Sequence, residues 1–233
     1  MKRSQQGFFQ EASAGYSDFI KARGSKEELR SWIEMRMGRR VLDIGNGGIR
    51  DFFSPATEQY VGLDFSFSML RLGGEGIEKV CGDALFLPFK KGIFDTLFYR
   101  SMLHHLAGVG DGEVEAEVKR ALTEGLRLLK EQGNVIVVEP CIPPWLERVE
   151  RILHFFLKIF FKMIQQPEAF IFSAERLQKV LEELVFGKIF VKKVKVAGSR
   201  WRWVSPVIGL PKLKVPLALL PVNQVILEAT KGC

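Results

Sequence analysis

The stretch from Val41 to Asp64 restricts the fold more than any other part of the chain. It begins Val41-Leu-Asp-Ile-Gly45-Asn-Gly47-Gly48-Ile-Arg50, runs past Pro55 and closes on Gln59-Tyr-Val-Gly-Leu-Asp64. An apolar strand enters a Gly-rich turn, and a second apolar strand ends in an acid. This is half of a nucleotide-binding βαβ unit, with a short helix expected between the turn and Pro55. Glycines let backbone approach a ligand where a Cβ would collide, and the terminal acid can accept two hydrogen bonds from ribose hydroxyls. A doubly wound, mostly parallel α/β sheet follows from this unit.

The spacing narrows the ligand. Asp64 lies 19 residues beyond Gly45, as in a dinucleotide fold, but the third glycine of that fingerprint would fall at position 50, where Arg50 stands. No Lys-Ser/Thr pair of a phosphate loop follows the turn. What remains is a nucleoside ligand with little or no phosphate. On these residues the chain resembles the class I S-adenosylmethionine (SAM) methyltransferases: Val41-Leu-Asp-Ile-Gly-Asn-Gly47 is similar to their first motif, and Val61-Gly-Leu-Asp-Phe-Ser66 to the acidic motif after it. The resemblance implies a Rossmann-like sheet of seven strands.

It continues downstream. Gly82-Asp83-Ala84-Leu-Phe-Leu-Pro88-Phe89 resembles the family's D-A-x-x-L-P-F motif, 19 residues after Asp64, and Phe94-Asp95 with Leu103-His104-His105 resembles its F-D-x-V…L-H-H. The resemblance implies that Asp43 lies near the methionine moiety and that Asp64 binds the ribose. Phe65 and Met69 flank the adenine, Asp83 and the Ala84 N–H read its edge, and the Arg100–Met102 segment, with Ser101, sits beneath the sulfonium. Gly45 and Gly47 form the turn; Ile49 stands where the family has a third glycine, and Gly48 lies one position earlier. Tyr16 is a candidate for closing the pocket. His104 or His105 is the candidate general base, with helix capping or packing as the alternative. Glu139, at the end of an expected fifth strand, is placed to orient a substrate. The two histidines lack the spacing of a metal site, and none is expected.

The chain reads as one domain of 233 residues: a helical cover over 1–38, a cofactor-binding core over 39–140, a helical insertion over 141–172 and a C-terminal part over 173–233. Three scattered cysteines without CxxC spacing argue against a disulfide framework. With no signal-peptide pattern, they make a reducing cytoplasm the expected location. The net charge of +7 is local: 188–227 holds eight basic residues and no acid, which leaves the remainder near −1. Asp111–Lys130, Ser173–Leu184 and two segments within 1–38 carry helical periodicity; Lys188–Val196 and Asn223–Thr230 read as an edge pair of strands. Between that pair, Gly198–Pro221, with Arg200-Trp-Arg-Trp203 and several prolines, reads as a long basic, aromatic loop. From Trp145 to Gln166 a narrow polar stripe runs through Leu, Ile, Phe and Met, so this helix is either buried or set against something apolar, such as a substrate, a membrane surface or a second subunit.

The expected activity is methyl transfer from SAM, leaving S-adenosyl-L-homocysteine, to a small apolar or amphipathic acceptor. Two alternatives stay open on the residues. One is an RNA methyltransferase using the basic 188–214 stretch, although nucleic acid is the less favoured partner. The other is a non-catalytic SAM-binding relative, suggested by the altered glycine turn.

Overall fold

The computed structural model describes residues 27–106, 115–163, 169–184, 189–194, 201–204, 213–216 and 222–232. At its centre lies β1 (Arg40–Ile44), with β2 (Gln59–Asp64) on one side and then β3 (Glu78–Cys81). On the other side come β4 (Phe94–Arg100) and β5 (Leu129–Cys141). These five strands are parallel. β9 (Asn223–Thr230) then inserts antiparallel between β5 and β6 (Ile189–Val194), giving the order β3-β2-β1-β4-β5-β9-β6. The doubly wound sheet, with the seven strands that the family resemblance implies, is thus present. Strand order reverses between β1 and β4, where an open α/β sheet leaves a crevice beyond its carboxyl ends.

Alternation along the strands divides the core between two faces. On one, Leu42, Ile44, Leu97, Tyr99, Val135 and Val137 pack with Val118, Ala121 and Leu122 of α4 (Ala116–Leu128) and Leu177, Val180 and Leu181 of α6 (Ala174–Leu184). On the other, Val41, Tyr60, Phe98, Ile136, Val138 and Ile226 meet Leu29, Trp32 and Ile33 of α1 (Glu27–Glu34), together with Phe52. β4 and β5 have both faces covered, which is why Leu97–Tyr99 and Val135–Val138 are uninterrupted apolar runs.

Two expectations need correction. No helix follows the glycine turn: residues 45–58 run as turns and irregular chain. Phe52 is fully buried, and Asp51 pairs with Arg100 on β4; these long-range contacts fix an irregular path, and Pro55 also disfavours a helix before it. Second, part of the expected Gly198–Pro221 loop is sheet, with β7 (Trp201–Val204) paired antiparallel to β8 (Leu213–Pro216). In the long helix α5 (Pro144–Met163), expected to be buried or set against something apolar, Glu147 is buried while several apolar side chains are exposed. Among the described residues no helix is long and apolar enough to cross a membrane.

Candidate active site

The site begins where β1 ends. Gly45, Gly47 and Gly48 all have positive φ (75°, 64° and 77°), backbone that side chains rarely adopt. Gly45 N–H donates to Leu63 O at 2.7 Å, and Gly47 N–H donates to Asp64 Oδ2 at 2.9 Å. The acid at the tip of β2 therefore fastens the turn. Its other oxygen accepts from Ser66 N–H at 2.8 Å, and Ser66 Oγ accepts from Met69 N–H to cap α2 (Phe67–Leu72). Burial pushes the Asp64 carboxyl above its ordinary value against the pull of these N–H groups.

The displaced glycine has a packing role. A Cβ on Gly48 would come within 2.9 Å of the Leu70 backbone, and one on Gly73, just past α2, would overlap the Gly48 carbonyl. Turn and helix end thus meet backbone to backbone, a contact that the family motif gives no hint of.

Asp83 stands beside Asp64. β3 pairs with β2 so that Cys81 lies opposite Asp64, and Gly82 N–H donates to Asp64 O at 3.0 Å. Two residues on, Asp83 Oδ1 accepts from Leu85 N–H at 2.9 Å, which turns the chain with Ala84 buried within it. The two acids thus stand at adjacent strand tips on one edge of the sheet. Phe65 and Met69 follow Asp64 at that edge, and Met69 Cε would lie 2.9 Å from a Cβ on Gly47.

Asp43 lies deeper. It is buried, and Oδ2 accepts from Tyr60 Oη at 2.6 Å. The turn's Gly47 N–H does not reach it, being taken by Asp64. Oδ1 has no hydrogen-bond partner within the described residues, and burial pushes the carboxyl up to about 7. Arg100 is near enough to oppose that rise, and the Arg50 guanidinium covers the Tyr60 ring at 4.8 Å. Tyr60, Asp51 and Arg50 were not read as site residues; only the close sequence of charges after the glycine turn could have flagged them.

At the tip of β4, Ser101 holds φ 50° and donates its N–H to Val138 O at 2.9 Å. A non-glycine residue in left-handed backbone at a strand end is a known mark of a functional edge. Met102 follows and packs so tightly on Gly45 that a Cβ there would overlap its side chain. Glu139, 1% exposed on β5, binds across the gap: Oε1 accepts from the N–H groups of Met102 and Leu103 at 2.7 and 2.8 Å, opening α3 (Leu103–Leu106). Its Oε2 lies 2.7 Å from His104 Nδ1. The His105 ring stacks at a tilt on His104, centroids 4.1 Å apart. His104 O accepts from Phe170 N–H at 2.9 Å, so the segment after α5 closes over the dyad. Glu150 of α5 bonds Ile171 N–H at 3.0 Å.

Asp43, Gly45, Gly47, Asp64, Phe65, Met69, Asp83, Ala84, Arg100, Ser101, His104 and His105 thus all belong to the carboxyl edge of the parallel strands or the segments leaving it. Tyr16 lies outside the described residues. Among those described, no group of three or more His, Cys, Asp or Glu is placed to hold a metal ion.

A family model described as a methyltransferase domain matches residues 42–137, from the first strand to the fifth. The demethylmenaquinone methyltransferase of Staphylococcus aureus is 30% identical over 182 residues, covering 68% of this chain and 72% of that protein. The chain belongs to the class I SAM-dependent methyltransferases. The demethylmenaquinone methyltransferase of Paenarthrobacter aurescens is 28% identical over 155 residues, 63% of this chain, and the match spans only 58% of that relative. Among solved structures, the Burkholderia thailandensis 1,6-didemethyltoxoflavin-N1-methyltransferase, with its substrate and S-adenosylhomocysteine bound, shares the fold with a TM-score of 0.60. It is 14% identical, and the alignment covers 100% of this chain and 89% of that one.

The residues fit the family's cofactor. Asp43 offers a buried oxygen with no donor, suited to a cationic amino group, and the positive-φ glycines present backbone without side chains. Asp64 and Asp83 keep acceptor capacity at neighbouring tips, since each carboxylate oxygen has two lone-pair sites.

Proposed function

We propose that this methyltransferase methylates a small apolar or amphipathic acceptor and that His104 is its general base. Asp64 and Gly47 would hold the ribose side of the cofactor, Asp83 and Ala84 the adenine, and Asp43 the amino end of the methionine. When bound, SAM supplies a methyl on a positively charged sulfur and leaves as S-adenosylhomocysteine. The chain's own task is then alignment and proton removal: the acceptor atom gains the methyl and gives up a proton. Glu139 commits Nδ1 of His104, so that proton arrives on Nε2, and the carboxylate offsets the charge the ring acquires. His105 stacks on His104 and restricts its ring.

The observation that carries this reading is the buried Glu139 carboxylate gripping His104 within the segment that also packs on the glycine turn. Relatives named for demethylmenaquinone support an apolar acceptor over RNA, and the apolar character of α5 supports the same class. The test is SAM-dependent release of S-adenosylhomocysteine in the presence of quinol-type acceptors, with and without His104→Gln. A loss of turnover of about 10²-fold or more, with SAM affinity retained, is expected for a general base. Undiminished turnover would remove His104 from that role, and calorimetry showing saturable binding of NADH but not SAM would overturn the proposal as a whole.

A further inference from the structure

α5 is inverted relative to an ordinary surface helix. Glu147, Glu150 and His154 are the polar residues that the protein holds. Glu147 is buried, with Oε2 accepting from Ser173 N–H at 2.9 Å. Glu150 accepts from Ile171 N–H, and the His154 ring meets Phe170 edge-on at 5.4 Å. Those anchors fix the rotation of the helix and turn Trp145, Val149, Ile152, Phe156, Ile159 and Met163 outward, at spacings of three or four residues. Ile152 and Met163 are each 77% exposed. Twenty residues make a ridge about 30 Å long, far more apolar surface than single scattered hydrophobic residues explain.

Charge selects among the partners such a ridge could meet. The helix carries four basic residues and two acids, and both acids, Glu147 and Glu150, are engaged on the inner side. Arg148 is exposed beside the apolar row, and Arg151, exposed while bonded to Glu147, borders it. A second copy of the chain docked about a two-fold axis would set this cationic border against itself. An anionic surface would be attracted to it. The helix does not qualify to cross a bilayer, but its length, its terminal Trp145 and its basic border suit one lying in the interface plane.

We propose that the outer face of α5 docks on the surface of a bilayer containing anionic lipid headgroups. The inner face of the same helix adjoins the segment that bonds to His104, so the docked face and the proposed base share one wall. An apolar acceptor dissolved in the bilayer would reach the site without crossing water. This purpose rests on the acceptor class proposed above, whereas the docking itself rests on the helix alone.

The test is co-sedimentation of the full chain with vesicles of phosphatidylcholine alone and of phosphatidylcholine mixed with phosphatidylglycerol. SAM calorimetry and the sedimentation-velocity mass are measured on the same samples. Binding is expected to the anionic vesicles, weaker to the neutral ones, and falling with added salt. The double variant Ile152→Glu/Phe156→Glu, at exposed positions, should lose at least 10-fold in vesicle affinity while SAM binding stays unchanged. Absence of binding to anionic vesicles, or equal binding by the double variant, would overturn the proposal. So would a dimer that the double variant dissolves without any vesicle binding, which would make a second copy the occupant. Failure of SAM binding in the unaltered chain would strike the proposed function and leave the vesicle result standing.

Discussion

His104 Nδ1 lies 2.7 Å from Glu139 Oε2, while the other oxygen of that carboxylate accepts both N–H groups at the start of the helix carrying His104. One buried acid therefore sets the position and the ring orientation of the same residue. The two effects separate by substitution. Glu139→Gln retains an oxygen for the Met102 and Leu103 N–H groups but removes the charge facing the imidazole. It should keep its melting temperature near that of the unaltered chain and lose about 10-fold or more in kcat. Glu139→Ala leaves two buried donors unpaired and should also cost about 1–3 kcal/mol in stability. Thermal unfolding alongside single-turnover rates checks both; equal activity in the Gln variant would reduce Glu139 to a helix cap.

Asp64 should be the most sensitive point for cofactor affinity. It closes the glycine turn through Gly47 N–H and orders the entry to α2 through Ser66 N–H, so its removal loosens the turn as well as deleting an acceptor. Asp64→Ala should weaken SAM binding by about 1–3 kcal/mol. Gly45→Ala should weaken it too, by another route. Its φ of 75° disfavours any side chain, and the added Cβ would overlap Met102 and disturb the segment leading to His104. Calorimetry with SAM on each variant checks this, and unchanged affinity in Asp64→Ala would take Asp64 out of the site.

The sequence was most legible where chemistry and strand geometry coincide. Asp64 was legible as a strand-tip acid from the apolar run before it, and the resemblance of Gly82–Phe89 to a family motif implied a second acid, Asp83, beside it. It was least legible where distant contacts decide. The stretch after the glycine turn was expected to be a helix, but burial of Phe52 and the pairing of Asp51 with Arg100 hold it in an irregular path, and neither contact leaves a local signal. Gly48 looked like a displaced motif residue; its close approach to α2 shows up only in three dimensions. In α5 the period gave the helix but not its facing. A thin polar stripe usually marks the solvent side, and here the N–H groups of Ser173 and Ile171 draw its two acids, Glu147 and Glu150, inward. The prolines of 198–221 suggested an irregular loop, yet aromatic and β-branched residues at 201–204 and 213–216 pair as strands.

Gly125 should resist the substitution that ordinarily strengthens a helix. In an exposed helix interior, Gly→Ala gains about 1 kcal/mol. Gly125 instead lies in α4 against Tyr99, whose Oη donates to Ala121 O at 3.1 Å. A Cβ there would overlap Tyr99 Oη and come within 2.9 Å of Leu97 Cδ1. Tyr99 and Leu97 are fully buried, so neither can swing away, and overpacking of a dense core costs about 1–3 kcal/mol. Gly125→Ala should therefore be destabilising in denaturant titration, and a gain in stability would show that helix and sheet are less tightly apposed than they stand here.

Asp43 and Glu150 together predict how stability follows pH. Burial pushes both carboxyls up to about 7, against ordinary values of 3.8 and 4.5. Between about pH 4 and 7 the folded chain therefore retains protons that the unfolded chain has released. Stability must fall as pH rises through that window and level off above it. Carboxyls held below their ordinary value act elsewhere: Glu147 is one, its burial more than offset by bonds from Ser173 and Arg151. Such groups lose their stabilising contribution only as pH falls below about 4. The two classes thus separate in thermal unfolding followed between about pH 5 and 8, where the raised carboxyls, Asp64 adding to this pair, contribute a downward slope. Asp43→Asn and Glu150→Gln should each flatten part of that slope, and the double variant most of it. Because Tyr60 Oη donates to Asp43 Oδ2, Tyr60→Phe removes a bond that favours the ionised form and should extend the fall to higher pH. A slope identical in the double variant and the unaltered chain would show that neither carboxyl retains its proton in the fold.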